Sequence, residues 1–216
     1  MDSPRGILDP RGQMFDVEAE ARVLRQRAGF EEEDAHGSVA LASRLGLAVR
    51  RVDGHLLRSS DACLVRLHGR PEIFVRRMLG PERLQWVVGH ELAELRLQEL
   101  DYREEDVERQ ADTLAAALVM PRVAYRAAVR EHGVAPASLA ADFVVTQTAA
   151  TLRLAEVHAV ELAVVVTPAK VYARGEEDLV LPPEPDIRRG MLGMMPGLRA
   201  VRITDDRRRR AFVAAG

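Results

Sequence analysis

The chain has 216 residues, 31 Lys+Arg against 33 Asp+Glu, a formal net charge of −2, and 47% hydrophobic and 30% charged residues. This balance is that of a globular protein with enough apolar surface for a sizeable core, and it argues against a protein coated in nucleic acid. The single cysteine, Cys63, excludes an internal disulfide framework and a cysteine-rich zinc module, so any metal must be held by His, Asp or Glu.

Residues 1–15, polar and broken by Pro and Gly, read as a flexible leader and not as a signal peptide. From Asp16 to Leu45 the period is helical, with Val17, Ala21, Leu24 and Ala28 on one face and a break at Gly29 before a second helix. Leu47–Val52 reads as a strand closed by an Asp53-Gly54 turn. Two alternating runs follow, Ala62–Leu67 and Glu72–Arg76, predicted as a hairpin or small antiparallel meander. Pro81 suits the first position of a helix running to Leu100. Further helices are predicted over Glu105–Leu118, Arg122–Glu131 and, as a pair, residues 136–157. Strands are then expected over Val160–Val166, Val171–Ala173 and Leu179–Leu181, a linker at Pro182–Pro185, a short helix over Ile187–Met194 and a strand over Leu198–Ile203. The longest apolar run, around Leu162–Thr167, is too short to span a bilayer, so a cytoplasmic protein without a membrane partner is expected.

Chemistry concentrates in the helix after Pro81. His90-Glu91-Leu92-Ala93-Glu94 puts residues 90 and 94 one turn apart on one face, with Glu91 beside them, rotated by about 100°. This is the layout of the H-E-x-x-H metallohydrolase helix, with Glu94 where the second His would stand. Glu108 and Asp112 lie one turn apart on the next helix, which a polar turn would fold back alongside His90. His90, Glu94 and Glu108 would then bind a divalent metal, Glu91 would act as general base, and Asp112 would accept from the free ring nitrogen of His90. The competing reading is a solvated Glu-rich face with a stray His.

The stretch Leu84–Pro121 resembles the ImmA/IrrE family of metallo-endopeptidases, which carries A-H-E-L-G-H followed by E-x-x-A-N-x-F-A-A-x-L-L-M-P. Here the segments read Gly89-His90-Glu91-Leu92-Ala93-Glu94 and Glu108-Arg109-Gln110-Ala111-Asp112-Thr113-Leu114-Ala115-Ala116-Ala117-Leu118-Val119-Met120-Pro121. The resemblance implies His90 and Glu108 as zinc ligands and Glu91 as the catalytic base. Asp112 replaces the usual Asn and Glu94 the usual His. Glu94 is open to three readings: a working ligand that shifts preference from Zn²⁺ toward Mn²⁺ or Fe²⁺, the mark of a degenerate site whose fold serves binding, or a variant of a normal enzyme. Glu72–Arg76 is expected to form the sheet edge on which an extended peptide adds, making Ile73, Phe74 and Val75 the substrate-binding residues. The resemblance implies a helix-turn-helix transcriptional repressor as the substrate, cleaved in a stress or mobile-element response. The alternative is a catalytically disabled regulatory module that binds a protein or DNA partner.

Leu139–Leu154 itself resembles a helix-turn-helix. Its second helix offers Gln147, Thr148 and Thr151 as hydrogen-bonding groups but only one base, Arg153, so a packing or protein-docking role is favoured and no DNA-binding residue is assigned. Arg207–Arg210 reads as a solvated face or strand edge, Met191, Met194 and Met195 as core filling, and Cys63 as a small buried hydrophobe. The expected fold is α+β: a zincin-like peptidase domain over 1–135 (a small antiparallel sheet plus the metal-binding helix hairpin), a helix-turn-helix-like segment over 136–158, and a small C-terminal α/β appendage over 159–216.

Overall fold

The first helix is set by its cap. Asp16 is extended, and its Oδ1 accepts from the N–H groups of Glu18 at 2.9 Å and Ala19 at 3.2 Å, two of the donors that a helix start leaves open. Helix α1 (Val17–Arg27) is acidic in its first turn and basic in its last, which suits the helix dipole, and it buries Ala21 and Leu24. Gly29, at φ +75°, ends it in left-handed backbone. The computed structural model describes residues 15–58, 60–102, 107–157, 159–167, 171–175, 184–189, 198–201 and 210–214. The chain divides into two units, Met1–Arg122 and Val123–Gly216.

In the first unit α1 is followed by α2 (Ser38–Arg44), β1 (Ala48–Val52), a single 3-10 turn (Gly54–Leu57), β2 (Ala62–Leu67) and β3 (Arg70–Arg76). The β2–β3 hairpin is antiparallel, with Leu67 opposite Arg70. Its two-residue loop, His68-Gly69, has φ of 52° and 80°, the paired positive values that match the twist of a hairpin. The expected hairpin forms, but the sheet as a whole is mixed and not antiparallel. β1 pairs parallel to β3, and the strand order is β1-β3-β2, so β3 is central and β2 lies at an edge. Burial explains the order: Ile73 and Val75 of β3 are fully buried, whereas β2 ends in the exposed Arg66 and Leu67.

Helices α3 (Pro81–Glu99) and α4 (Val107–Val119) complete this unit. Pro81 opens α3 at a position where its missing N–H costs nothing. The two helices pack through small buried residues: Ala93 on α3, and Ala111, Ala115 and Ala117 on α4. Gly89 belongs to this seam, since a Cβ there would stand 2.8 Å from Val119 Cγ2. Close approach of the helices is what carries the start of α4 to the middle of α3. The buried guanidinium of Arg25 anchors the preceding segment, donating to the carbonyls of Asp34 (2.6 Å), His36 (3.2 Å) and Leu118 (3.0 Å).

The second unit takes up α5 (Arg122–His132) from Val123 and continues through α6 (Pro136–Phe143), α7 (Gln147–Glu156), β4 (Leu162–Val166), β5 (Val171–Gly175), α8 (Glu184–Arg189), β6 (Leu198–Val201) and β7 (Arg210–Ala214). The strands form an antiparallel sheet in the order β5-β4-β7-β6. β4 is buried at all five positions, as its unbroken apolar run requires. α6 and α7 are joined by residues 144–146, with Val144 left-handed and the Thr146 hydroxyl capping α7. The turn is helix-turn-helix-like, but α7 packs on β4 and β5 and exposes no residue. Thr151 is fully buried, and Arg153 is buried in an ion pair with Glu156 at 3.3 Å. A helix so covered has no face to lay in a DNA groove.

The fold is the expected α+β mixture, with differences in the C-terminal part. The helix expected from Ile187 already begins at Glu184 and is described to Arg189, residues 190–194 lying outside the described residues, and β7 begins at the last residue of the Arg207–Arg210 run, where a solvated face or strand edge is expected. The expected leader (except Phe15), strand Leu179–Leu181 and the three methionines Met191, Met194 and Met195 lie outside the described residues.

Candidate metal centre

The middle of α3 and the first turns of α4 bring four side chains together. His90 Nδ1 stands 3.1 Å from Asp112 Oδ1, while Nε2 stands 3.4 Å from Glu94 Oε1 and 3.6 Å from Glu108 Oε2. His90, Glu94 and Glu108 each offer a ligand atom, all within 4.8 Å of one another. Two donors that each bind a tetrahedral ion at ~2.1 Å stand ~3.4 Å apart. The spacing therefore fits a divalent cation, and the donor set of one imidazole and two carboxylates is one that such a cation takes. Asp112 holds one ring nitrogen and leaves the other for the cluster. The charges say the same: hydrogen bonds to Asp112 and then to Glu94 push the His90 pKa up to about 10. Without a cation, a proton fills the place where positive charge is wanted.

Glu91 sits differently. Its carboxyl group is buried, with 6% of the residue exposed, and accepts from the backbone N–H of Leu64 on β2. Burial first and the charge of Glu94 second push its pKa up to about 7, close to the value suited to moving protons at neutral pH. Glu91 and the cluster share a cleft of about 840 Å³ between β2 and α3, whose walls include Asp61, Cys63, Arg66, Arg83 and Trp86.

His90, Glu91, Glu94, Glu108 and Asp112 thus converge on one cleft. Ile73, Phe74 and Val75 do not: β3 is hydrogen-bonded on both sides, by β1 and β2, and none of the three lines the cleft. A central strand has no free edge to offer. Among the described strands, the edge that faces the cleft is β2. Cys63, expected as buried, is half-buried and lines the cleft, and burial pushes its thiol pKa up. Sequence reasoning missed Leu64, Arg66 and Trp86 as cleft residues. The helical spacing of Trp86 and His90, four apart, is the one signal that was available.

No curated protein matches the chain. Among solved structures it is similar to a Mycobacterium tuberculosis transcriptional regulator, with a TM-score of 0.59 and 13% identity over 93% of this chain and 87% of that one, a likeness of fold alone. The sequence profile of the peptidase M78, IrrE N-terminal-like domain matches residues 42–155, more than half of the chain, and includes the first unit's sheet and both helices of the metal cluster. The chain therefore belongs to the IrrE N-terminal-like family.

Proposed function

We propose that this protein is a metal-dependent endopeptidase that cleaves an extended segment of a protein partner. The observation that carries the reading is the cluster of His90, Glu94 and Glu108 beside a buried carboxyl group, Glu91, in a cleft walled by a strand edge. Bound by those three residues, a divalent cation would supply Lewis acidity to a scissile carbonyl and acidify an attacking water. Asp112 fixes the ring of His90. Glu91 takes a proton from the attacking water and returns it to the leaving amine. The free edge of β2 holds the peptide extended by backbone hydrogen bonds. With one imidazole and two carboxylates, the harder donor set favours Mn²⁺ or Fe²⁺ more than a two-histidine site does, with Zn²⁺ still a competent occupant.

The partner in this reading is a transcriptional repressor of the helix-turn-helix type, cleaved in the cytoplasm during a stress or mobile-element response. Its support is the family together with a fold neighbour that is a transcriptional regulator. Among the described residues no helix is long and apolar enough to cross a membrane. The peptidase function falls to residues 1–135, with 136–158 and 159–216 as helical and C-terminal accessories. A second reading, a disabled peptidase-like module that regulates a partner by binding, is favoured by one observation: Glu94 stands where the family's second His would be.

Metal content and turnover separate the two. The purified protein, loaded with Zn²⁺ or Mn²⁺, is expected to hold one ion per chain and to cleave members of a degenerate peptide library. Glu91→Gln should keep the ion and lose roughly 10²–10⁴-fold in rate, the usual worth of a general base. If no transition metal binds even after reconstitution, the enzyme reading fails. A Glu94→His variant that alone gains zinc and activity would establish the disabled module.

A further inference from the structure

The cleft is lined by the carboxylates of Glu91, Glu94, Glu108 and Asp112, and on their charge alone it would select basic peptides. The positions of the cations argue otherwise. Glu94 and Glu108 are committed to the metal cluster and Asp112 to His90. Of the two arginines in the cleft wall, Arg83 is tied to Asp61 at 2.8 Å. Arg66 is exposed, and among the described residues it makes no ion pair or hydrogen bond. With the cluster's charges balanced by a divalent cation, Arg66 is the uncommitted cation that an incoming peptide meets among the described residues of the wall.

The backbone fixes where it meets it. In an antiparallel pair, the N–H and C=O of one residue point to the same side and alternate along the strand. The Leu64 N–H is turned to Glu91 and therefore away from β3. Arg66, two residues on, points its backbone groups the same way, to the free edge. Ser60 Oγ already donates to the Ala62 carbonyl and the Leu64 N–H is taken by Glu91, which leaves the Leu64 carbonyl and the N–H and carbonyl of Arg66 open to a new strand. Arg66 lies ~7 Å along that edge from the residue that anchors Glu91. A peptide strand added there places a side chain two residues from its reacting bond beside the guanidinium. If the added strand runs antiparallel to β2, that residue is on the N-terminal side of the bond.

We propose that Arg66 is a specificity-determining residue that makes the cleft select peptides with an acidic side chain about two residues from the bond presented to His90 and Glu91. The inference rests on the peptide-binding reading given above. It assigns Arg66 no part in bond breaking.

The test uses the full-length, metal-loaded protein and a degenerate extended peptide library. Cleavage products of the wild type, and peptides retained by Glu91→Gln, are both sequenced. Asp and Glu are expected over Lys and Arg by about fivefold at one position, the scale of an exposed ion pair. Arg66→Glu should invert the preference and Arg66→Gln abolish it, both with unchanged metal content. Cleavage without charge selection, or a profile unmoved by Arg66→Glu, overturns the role of Arg66. So does a failure of either form to bind any peptide. Selective retention by Glu91→Gln without cleavage by the wild type leaves Arg66 in its role and removes the peptidase reading instead.

Discussion

Removing the Asp112 carboxylate should weaken metal binding without unfolding the protein. Its Oδ1 stands 3.1 Å from His90 Nδ1, and this hydrogen bond is the first cause of the raised His90 pKa. A carboxylate there makes the opposite ring nitrogen a better donor and fixes the ring toward Glu94 and Glu108. Losing such a partner costs ~10–100-fold in metal affinity. The Asp112 side chain is 51% exposed, so water screens part of its charge and the lower end applies, about tenfold or ~1.4 kcal/mol for Asp112→Ala. Asp112→Asn keeps an oxygen to accept from Nδ1–H but no charge, and should lose only about threefold. Competition with a chromophoric chelator at fixed pH and ionic strength measures both. Unfolding free energies of the metal-free variants from urea titration should stay within ~1 kcal/mol of the wild type, because a half-exposed pair adds little to stability. Wild-type affinity in Asp112→Ala would refute the orienting role, wild-type affinity in Asp112→Asn would refute the part assigned to charge, and equal losses in both variants would refute the part assigned to the accepting oxygen.

Two further predictions concern protons and packing. With its pKa pushed up to about 10, His90 is protonated at neutral pH in the metal-free protein, so binding a divalent cation should release close to one proton at pH 7.5. Affinity should then rise by up to about tenfold per pH unit between roughly 6 and 9. Calorimetry in buffers of different ionisation enthalpy counts the proton, and a release of zero removes His90 from the ligand set. For metal-free stability the sign is the reverse: the raised pKa contributes fully below the unfolded value of about 6.5 and is lost as pH rises through about 10. In the helix seam, Gly89→Ala gains ~1 kcal/mol of helix propensity but puts a Cβ 2.8 Å from Val119 Cγ2. Overpacking costs ~1–3 kcal/mol, so the net effect should be a loss of up to ~2 kcal/mol. A double-mutant cycle with Val119→Ala should show coupling above ~0.5 kcal/mol; a Gly89→Ala protein stabilised by the full propensity gain would contradict the close approach.

The helices of the first unit were legible because their signals are local. Pro81 and the apolar spacing place α3 within a residue of its observed bounds, and the same periodicity sets α4. The spacing of His90 and Glu94 likewise predicts a shared face, and the polar stretch after α3 in the sequence predicts the hairpin that returns Glu108 and Asp112 to it. Strand order was not legible. Whether β3 or β2 is central depends on pairing with β1, a contact between residues far apart in sequence. Nothing local to Glu72–Arg76 distinguishes an edge from a centre, apart from the buried demand of Ile73 and Val75. The same limit hid the Leu64–Glu91 hydrogen bond and the place of Arg66, which follow from how β2 lies along α3. The β7 strand was hidden differently: it starts at the end of an arginine run whose composition reads equally as a solvated face or a strand edge.

Glu94 determines what kind of metal site this is, and geometry argues against simple damage. A carboxylate four residues after His90 reaches the same place on the helix face as an imidazole would, and its Oε1 does stand 3.4 Å from His90 Nε2. What the exchange alters is charge. It adds a second anion to the donor set, and that anion also acts on Glu91, whose carboxyl group it pushes toward the neutral form. A site so loaded with negative charge holds a proton on His90 and disfavours the ionised base as long as it stands alone. A divalent cation held by the three donors would answer both, taking the place of the proton on His90 and offsetting the charge that Glu94 directs at Glu91. The carboxylate therefore ties readiness of the base to occupancy of the metal site more tightly than a neutral second histidine would. A relic of lost function would be free to place any side chain at position 94; this one keeps a donor in position.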